Sequence, residues 1–165
     1  MLAVIRIRGR TGIRYDMDQT TKLLNLTRIN HMVIIPSNET YKGMLQKVKD
    51  YVTWGEIEKD TLALLLKHRS QFKGRKHYTE EELKEKTGFT SYDEMAEALI
   101  SGKVIYKNIE GIVPIFRLHP PRGGLEYVRK PYGQGGTGGY RASEINKLIK
   151  RMIVPGADLN GKNKN

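Results

Sequence analysis

The sequence predicts an α+β fold: a small antiparallel sheet with helices on one face, then a helical insertion, then an extended Gly/Pro-rich C-terminal segment with a final helix. Three observations lead there. Apolar runs and helix-periodic stretches alternate as strand, helix, strand, helix, strand within about the first third of the chain. Two helix-start patterns follow each other at Thr79–Glu82 and Ser91–Glu94. Beyond His119, glycine and proline dominate until an amphipathic stretch resumes at Ile145.

The chain has 165 residues, enough for one domain or one domain with a small appendage. Its net charge of +11 costs self-repulsion that a polyanionic partner would relieve. Nucleic acid leads as that partner, with an anionic membrane surface second. The sequence has no cysteine, which excludes disulfides, thiolate zinc sites and cysteine nucleophiles. Arginines interrupt the opening apolar run too early for a signal peptide, and no apolar window is long enough to span a bilayer. We expect a soluble intracellular protein with no membrane partner; the two Asn-x-Thr matches at Asn25 and Asn38 are read as coincidence.

Taken in order, Leu2–Arg8 reads as a half-buried strand, with Arg6 and Arg8 on its outer face. Arg10 and Arg14 carry the charge into a turn around Gly9 and Gly12. Asp16–Gln19 predicts a helix start with an acidic N-cap, and Thr20, Leu23 and Leu24 its buried stripe. Met32–Pro36 is a continuous apolar run closed by proline, hence a central or well-covered strand. From Tyr41 the pattern is helical, with Met44, Leu45 and Val48 inward and Lys42, Gln46 and Lys49 opposite. Tyr51–Trp54 is then strand-forming and closes at Gly55. Both of these helices are expected on one face of the sheet.

Glu58–Arg69 predicts a further helix on Leu62, Leu65 and Leu66. It runs into the densest basic stretch, with Lys67, Arg69, Lys73, Arg75 and Lys76 and no acid. A solvated loop and an RNA-facing loop are both open readings there. The two capped helices that follow, stopping at Gly88 and near Gly102, are acidic and are expected at the periphery. Val113–Leu118 reads as the last strand, with Pro114 placing it near an edge or a strand start. His119–Arg141 is a long irregular stretch containing His119, Arg122, Arg129, Lys130 and Arg141; such length in a compact domain points to function or disorder. Ile145, Leu148, Ile149 and Met152 give the final helix, which Pro155 ends. We divide the chain into a βαβαβ core at 1–57, a helical extension at 58–112, a strand with an extended RNA-facing loop and C-terminal helix at 113–153, and a polar tail at 154–165.

No catalytic constellation emerges. The four histidines lack metal-site spacing, the acids sit at helix starts, and no serine has a nucleophile-elbow context. Gly133–Gly139 lacks the Gly-Lys-Ser/Thr of a phosphate loop, and is read as letting backbone pass close to another molecule or as a tether. We therefore expect no enzyme, no cofactor, no metal and no small-molecule substrate. The charge is instead distributed, with excesses of about +3, +2 and +6 before residue 61, from there to 118, and beyond. Spread charge with interleaved tyrosines suits a shaped RNA surface better than a single DNA-reading helix, which makes Arg6, Arg8, Arg10, Arg14, Lys42, Lys47, Lys49, Lys67, Arg69, Lys73, Arg75, Lys76, His119, Arg122, Arg129, Lys130 and Arg141 the candidate RNA-binding cations.

Arg28-Ile-Asn-His31, Gly43-Met44, Lys47-Val48, Tyr51–Gly55, Phe116–Gly124, Gly135-Gly136 and Ile145–Met152 occur in an order that resembles the large-subunit ribosomal protein "L thirty" family, in its longer archaeal form related to the eukaryotic "L seven" protein. The resemblance runs from Met1 to about Ile153. It implies a compact α+β core, a structural role against large-subunit ribosomal RNA beside neighbouring ribosomal proteins, and no catalysis. Whether the small 5S RNA is touched stays open. It also implies RNA-side positions at Lys47, Tyr51 and Trp54 and at Arg122, Gly123 and Gly124, although for Trp54 a strand anchor is the preferred reading over base stacking. The sequence shows no basic arm of the eukaryotic kind before the first strand, and nothing is assigned to the tail. An RNA-processing or RNA-modifying enzyme and a nonspecific RNA chaperone are the alternatives.

Overall fold

The computed structural model describes residues 1–74 and 80–153. Strands β1 (Leu2–Arg6), β2 (His31–Ile35) and β3 (Val52–Glu56) alternate with helices α1 (Tyr15–Leu23) and α2 (Glu39–Lys47). Then come α3 (Lys59–Arg69), α4 (Glu80–Thr87), α5 (Tyr92–Ile100), β4 (Phe116–Arg117), β5 (Gly139–Tyr140) and α6 (Ile145–Ile153). The sheet order is β4-β2-β1-β3-β5. Its first four strands pair antiparallel, while β5 joins β3 in parallel, setting Thr53 opposite Gly139 and Trp54 opposite Tyr140.

Period-two alternation sends successive strand residues to opposite faces. Leu2, Val4, Val33, Ile35, Val52 and Trp54 meet Leu24, Leu26, Leu45 and Val48 on one face. The first two helices therefore share a face, as the βαβαβ order predicts. Ala3, Ile5, Met32 and Ile34 face the other way and pack with α3, α5 and α6 through Leu62, Leu65, Leu66, Met95, Leu99, Ile145 and Ile149. The helical extension is thus no peripheral appendage. A sheet whose inner strands are apolar on both sides needs a second cover, and α3, α5 and α6 supply it.

Several local expectations change. Helix α1 begins at Tyr15, so Asp16 and Asp18 lie in its first turn and neither is the N-cap. Its buried positions are Thr20 and Thr21, followed by Leu24, while Leu23 is 73% exposed because the helix ends there and the chain turns at Asn25 in the left-handed region. At the second helix-start pattern, the Ser91 hydroxyl accepts from the Glu94 amide at 3.2 Å, whereas the Glu94 carboxylate reaches the Thr90 amide. The Thr79 half of the first pattern lies outside the described residues, as do Pro155 and the tail. Phe116–Arg117 is an edge strand, consistent with Pro114, but it is not the last one.

The return of β5 is the feature the sequence conceals. Two residues in a glycine-rich run carry no strand signal, and a parallel partner demands a long crossover. Here that crossover is everything between β3 and Gly139. Close backbone approach explains one glycine in β3 and one just before β5. A Cβ on Gly55 would lie 1.9 Å from the Ala142 carbonyl oxygen, and one on Gly136 would lie 2.0 Å from that of Lys130. At Gly136 and Gly138 the glycine run therefore packs backbone against the chain's own backbone.

Candidate nucleic-acid interface

The sequence-predicted basic positions fall into distinct environments. Arg6 is fully buried, not outward-facing. Its guanidinium donates to the carbonyls of Leu26 at 2.6 Å, Arg8 at 2.8 Å and Gly9 at 3.2 Å, and to Thr21 Oγ1 at 3.2 Å. It lies on the face that α1 covers, so no surface remains for a phosphate, and Arg6 leaves the set. Arg141 leaves it for a similar reason. Its Nε donates to Thr53 Oγ1 at 2.8 Å and its Nη2 to the Thr137 carbonyl at 2.7 Å, while its backbone amide bonds Trp54. With the guanidinium 4.7 Å from the Tyr132 ring centroid, Arg141 clamps the loop to the sheet. Trp54 is only 5% exposed and belongs to the core of the α1/α2 face, which is the anchor reading.

A first exposed group gathers from three separate parts of the sequence. Arg8 lies over the buried Tyr51 ring at 4.8 Å and donates to the Asp50 carbonyl. Lys49, Arg129 and Lys130 line one cleft beside them, with Pro131 and Gly138. Lys130 Nζ sits 5.0 Å over Tyr127, a ring that is 71% exposed. Tyr51 thus supports a cation from beneath, and the cation is what reaches solvent.

A second group forms at the C-terminal end of α6. Free carbonyls there need donors, and the chain supplies three: the Arg122 amide to Arg151, the His119 amide to Met152, and Arg69 Nε to Ile153. Arg151 in turn donates through Nε to the Arg122 carbonyl at 2.8 Å and through Nη2 to that of Gly124 at 2.7 Å. Gly123 and Gly124 both adopt positive φ. The Pro-Arg-Gly-Gly turn is therefore held open by Arg151, with Arg122 exposed at its tip. Arg151 and its i−4 neighbour Lys147 were not among the predicted site residues. The signal was their common face on α6, away from the apolar stripe.

Elsewhere the cations are locally balanced or isolated. Arg10 pairs with Asp18, Arg14 with Asp16, Lys22 with Asp18, and Lys47 approaches Asp16 at 3.8 Å. The Asp18 carboxyl is held below its usual value by the Lys22 hydrogen bond, then by Arg10. Burial pushes Asp16 up, but Arg14, the Met17 amide and Lys47 outweigh it. Lys42 is exposed on α2, Lys67 on α3 and Lys73 just beyond it. Arg75 and Lys76 lie outside the described residues. Burial, then Arg117, Arg28 and Arg6, hold the His31 imidazole below its ordinary value, so the exposed Arg28 and Arg117 sit near it. Neither was predicted. Among the described residues no cluster of three or more His, Asp or Glu forms a candidate metal site, and no helix is long and apolar enough to cross a membrane.

Residues 2–52 match the family model described as ribosomal protein L30p/L7e. A relative from Thermoplasma acidophilum, "Large ribosomal subunit protein uL30", is 64% identical over 165 residues, covering the whole of both chains. The chain belongs to this family. The uL30 protein of Thermoplasma volcanium is 58% identical over the same span. That of Methanosphaera stadtmanae is 48% identical over 153 residues, 93% of this chain and all of the relative. The archaeal uL30 likeness thus covers both exposed groups, including the second, which lies beyond the matched family model. The family is structural and non-enzymatic.

Proposed function

We propose that this chain is a structural constituent of the large ribosomal subunit that binds and stabilises folded ribosomal RNA. The full-length likeness to relatives named as large ribosomal subunit proteins carries the reading. Its working place on this reading is the cytoplasm, within the ribosome, beside other ribosomal proteins. The surface supports it physically. Lys49, Arg129 and Lys130 line one cationic cleft with Arg8 held beside it on Tyr51 and the Asp50 carbonyl, and Arg122 stands on a second group beside Lys147, which Glu144 pairs at 2.7 Å. Lys42, Lys67 and Lys73, with Arg10, Arg14 and Lys47 after release from their carboxylates, add phosphate contacts around them. Prior immobilisation matters because a side chain already ordered loses less entropy on binding.

Neutralising phosphates releases counterions, so binding should weaken as salt rises, by a little under one log unit per log unit of salt for each contact, ~0.9 for duplex and ~0.7 for single strands. Co-sedimentation with large subunits at one copy per particle, surviving a high-salt wash, is the expected result. Recovery with free RNA fractions alone would sink the ribosomal reading and favour a nonspecific RNA chaperone. Assaying the same protein against isolated 5S RNA and against large-subunit RNA assigns the RNA it holds.

A further inference from the structure

Between α2 and the β3–β5 edge lies a cleft of about 300 Å³. It is separate from both cationic groups. Its floor is apolar, made by the buried Leu2 and Trp54, and one wall is the Tyr140 ring, which is 52% exposed and tilted 48° to Trp54 at 6.4 Å between centroids. On the other wall stand Lys42 and Gln46, one turn apart on α2 and both exposed. Glu56 closes the end, its carboxylate oxygens accepting from the Tyr140 hydroxyl at 2.8 and 3.0 Å.

The chemistry of these walls is selective. That volume sits at the small end of ligand sites, suited to one nucleotide. An exposed aromatic face invites a stacked base, and a lysine beside it meets a phosphate. The carboxylate decides which base. Its two oxygens hold about four acceptor positions, and the single Tyr140 proton, shared between the two oxygens, leaves about two of them open. Guanine presents two adjacent N–H donors, N1 and N2, on its Watson–Crick edge, where adenine offers one donor beside an acceptor. A carboxylate therefore favours guanine and leaves adenine's ring nitrogen facing a lone pair. We propose that this cleft receives a single unpaired guanosine extruded from the RNA, with its base on Tyr140, its Watson–Crick edge on Glu56 and its phosphate on Lys42. The inference rests on the RNA-binding reading above and deepens it.

Trp54 is the sole tryptophan and forms the floor, so its emission reports occupancy directly. The full-length protein is titrated with a pentaribonucleotide carrying one central guanosine between uridines, and with its adenosine counterpart. A saturable change in Trp54 emission is expected, with the adenosine version about tenfold weaker, the scale of one good bidentate base contact. Glu56→Gln should bring the two within about twofold, and Lys42→Ala should weaken both alike. Subunit co-sedimentation is run in parallel on the same preparations. Equal binding of the two pentamers, or a silent Trp54, with co-sedimentation intact overturns the cleft and spares the ribosomal reading. Loss of co-sedimentation by the unaltered protein overturns that reading instead. A Trp54 change on adding ribosomal proteins without RNA assigns the cleft to a protein side chain and also overturns the inference.

Discussion

Arg6 and Arg8 are two residues apart in sequence and opposite in consequence. Arg6 satisfies the carbonyls of Arg8, Gly9 and Leu26 from inside the fold, whereas Arg8 rests on Tyr51 at the surface. Arg6→Ala strands those acceptors and opens a cavity, and should cost about 3 kcal/mol in urea unfolding. Arg8→Ala should change stability by well under ~1 kcal/mol and act on RNA affinity. Reversal of these effects would contradict the assignment. A second residue-scale prediction concerns acid. Burial holds the His31, His68 and His119 imidazoles below their ordinary value in the folded protein. The unfolded chain then takes up more protons than the native one once pH drops below ~6.5, so stability should fall on acidification from pH ~7.5 to ~5. Asp16 and Asp18, being depressed, stay ionised in both states over most of that window and leave it to the histidines. Unfolding midpoints measured across the window test this, and His31→Asn should flatten the slope; a midpoint that rises on acidification would refute it.

At the scale of elements, α5 shows how an acidic, apparently detachable helix becomes core. Met95, Ala96 and Leu99 are fully buried, while Asp93, Glu94 and Glu97 stay outside. Its acidity argues against phosphate, as its sequence suggests, but says nothing about the face turned inward. Met95→Ala should therefore destabilise the whole chain, by roughly 2–4 kcal/mol. Trp54 lies in the opposite core and reports whether the loss is shared. A separate early transition that leaves Trp54 emission untouched would mean that the extension unfolds alone. The loop before α6 teaches a related lesson. Arg141 docks it on β3 through Thr53, while its bond to Thr137 and the Gly136 approach to Lys130 fold the loop on itself, so much of what reads as free irregular chain is packed backbone.

For the whole molecule, a net charge of +11 tells of a polyanion but not of where it lies. The fold sorts the cations. Some are buried (Arg6, Arg141), some paired with α1 carboxylates (Arg10, Arg14), and some grouped and exposed (Lys49, Arg129, Lys130). Arg122→Glu, at the tip of the Arg151-buttressed turn, should weaken subunit association more than Lys84→Glu, which lies on the acidic α4. It should also lower the salt slope by about one unit for each phosphate left without its cation. Filter binding across a salt series checks both, and equal weakening by the two changes would count against the proposed surface.

Periodicity alone determined much of this protein. Strands at 2–6, 31–35 and 52–56, two helices on one face between them, and the apolar stripe of α6 all follow from residue spacing, because each element must bury one side. The ordered motifs from Arg28 to Met152 likewise pointed to the family. Only the tertiary structure decided that α3, α5 and α6 cover the second face, that β5 returns in parallel, and which arginines see solvent. The physical reason is common to all three. An arginine on a strand, or a glycine in a loop, carries no mark of what will pack over it, and burial is a property of distant chain brought near.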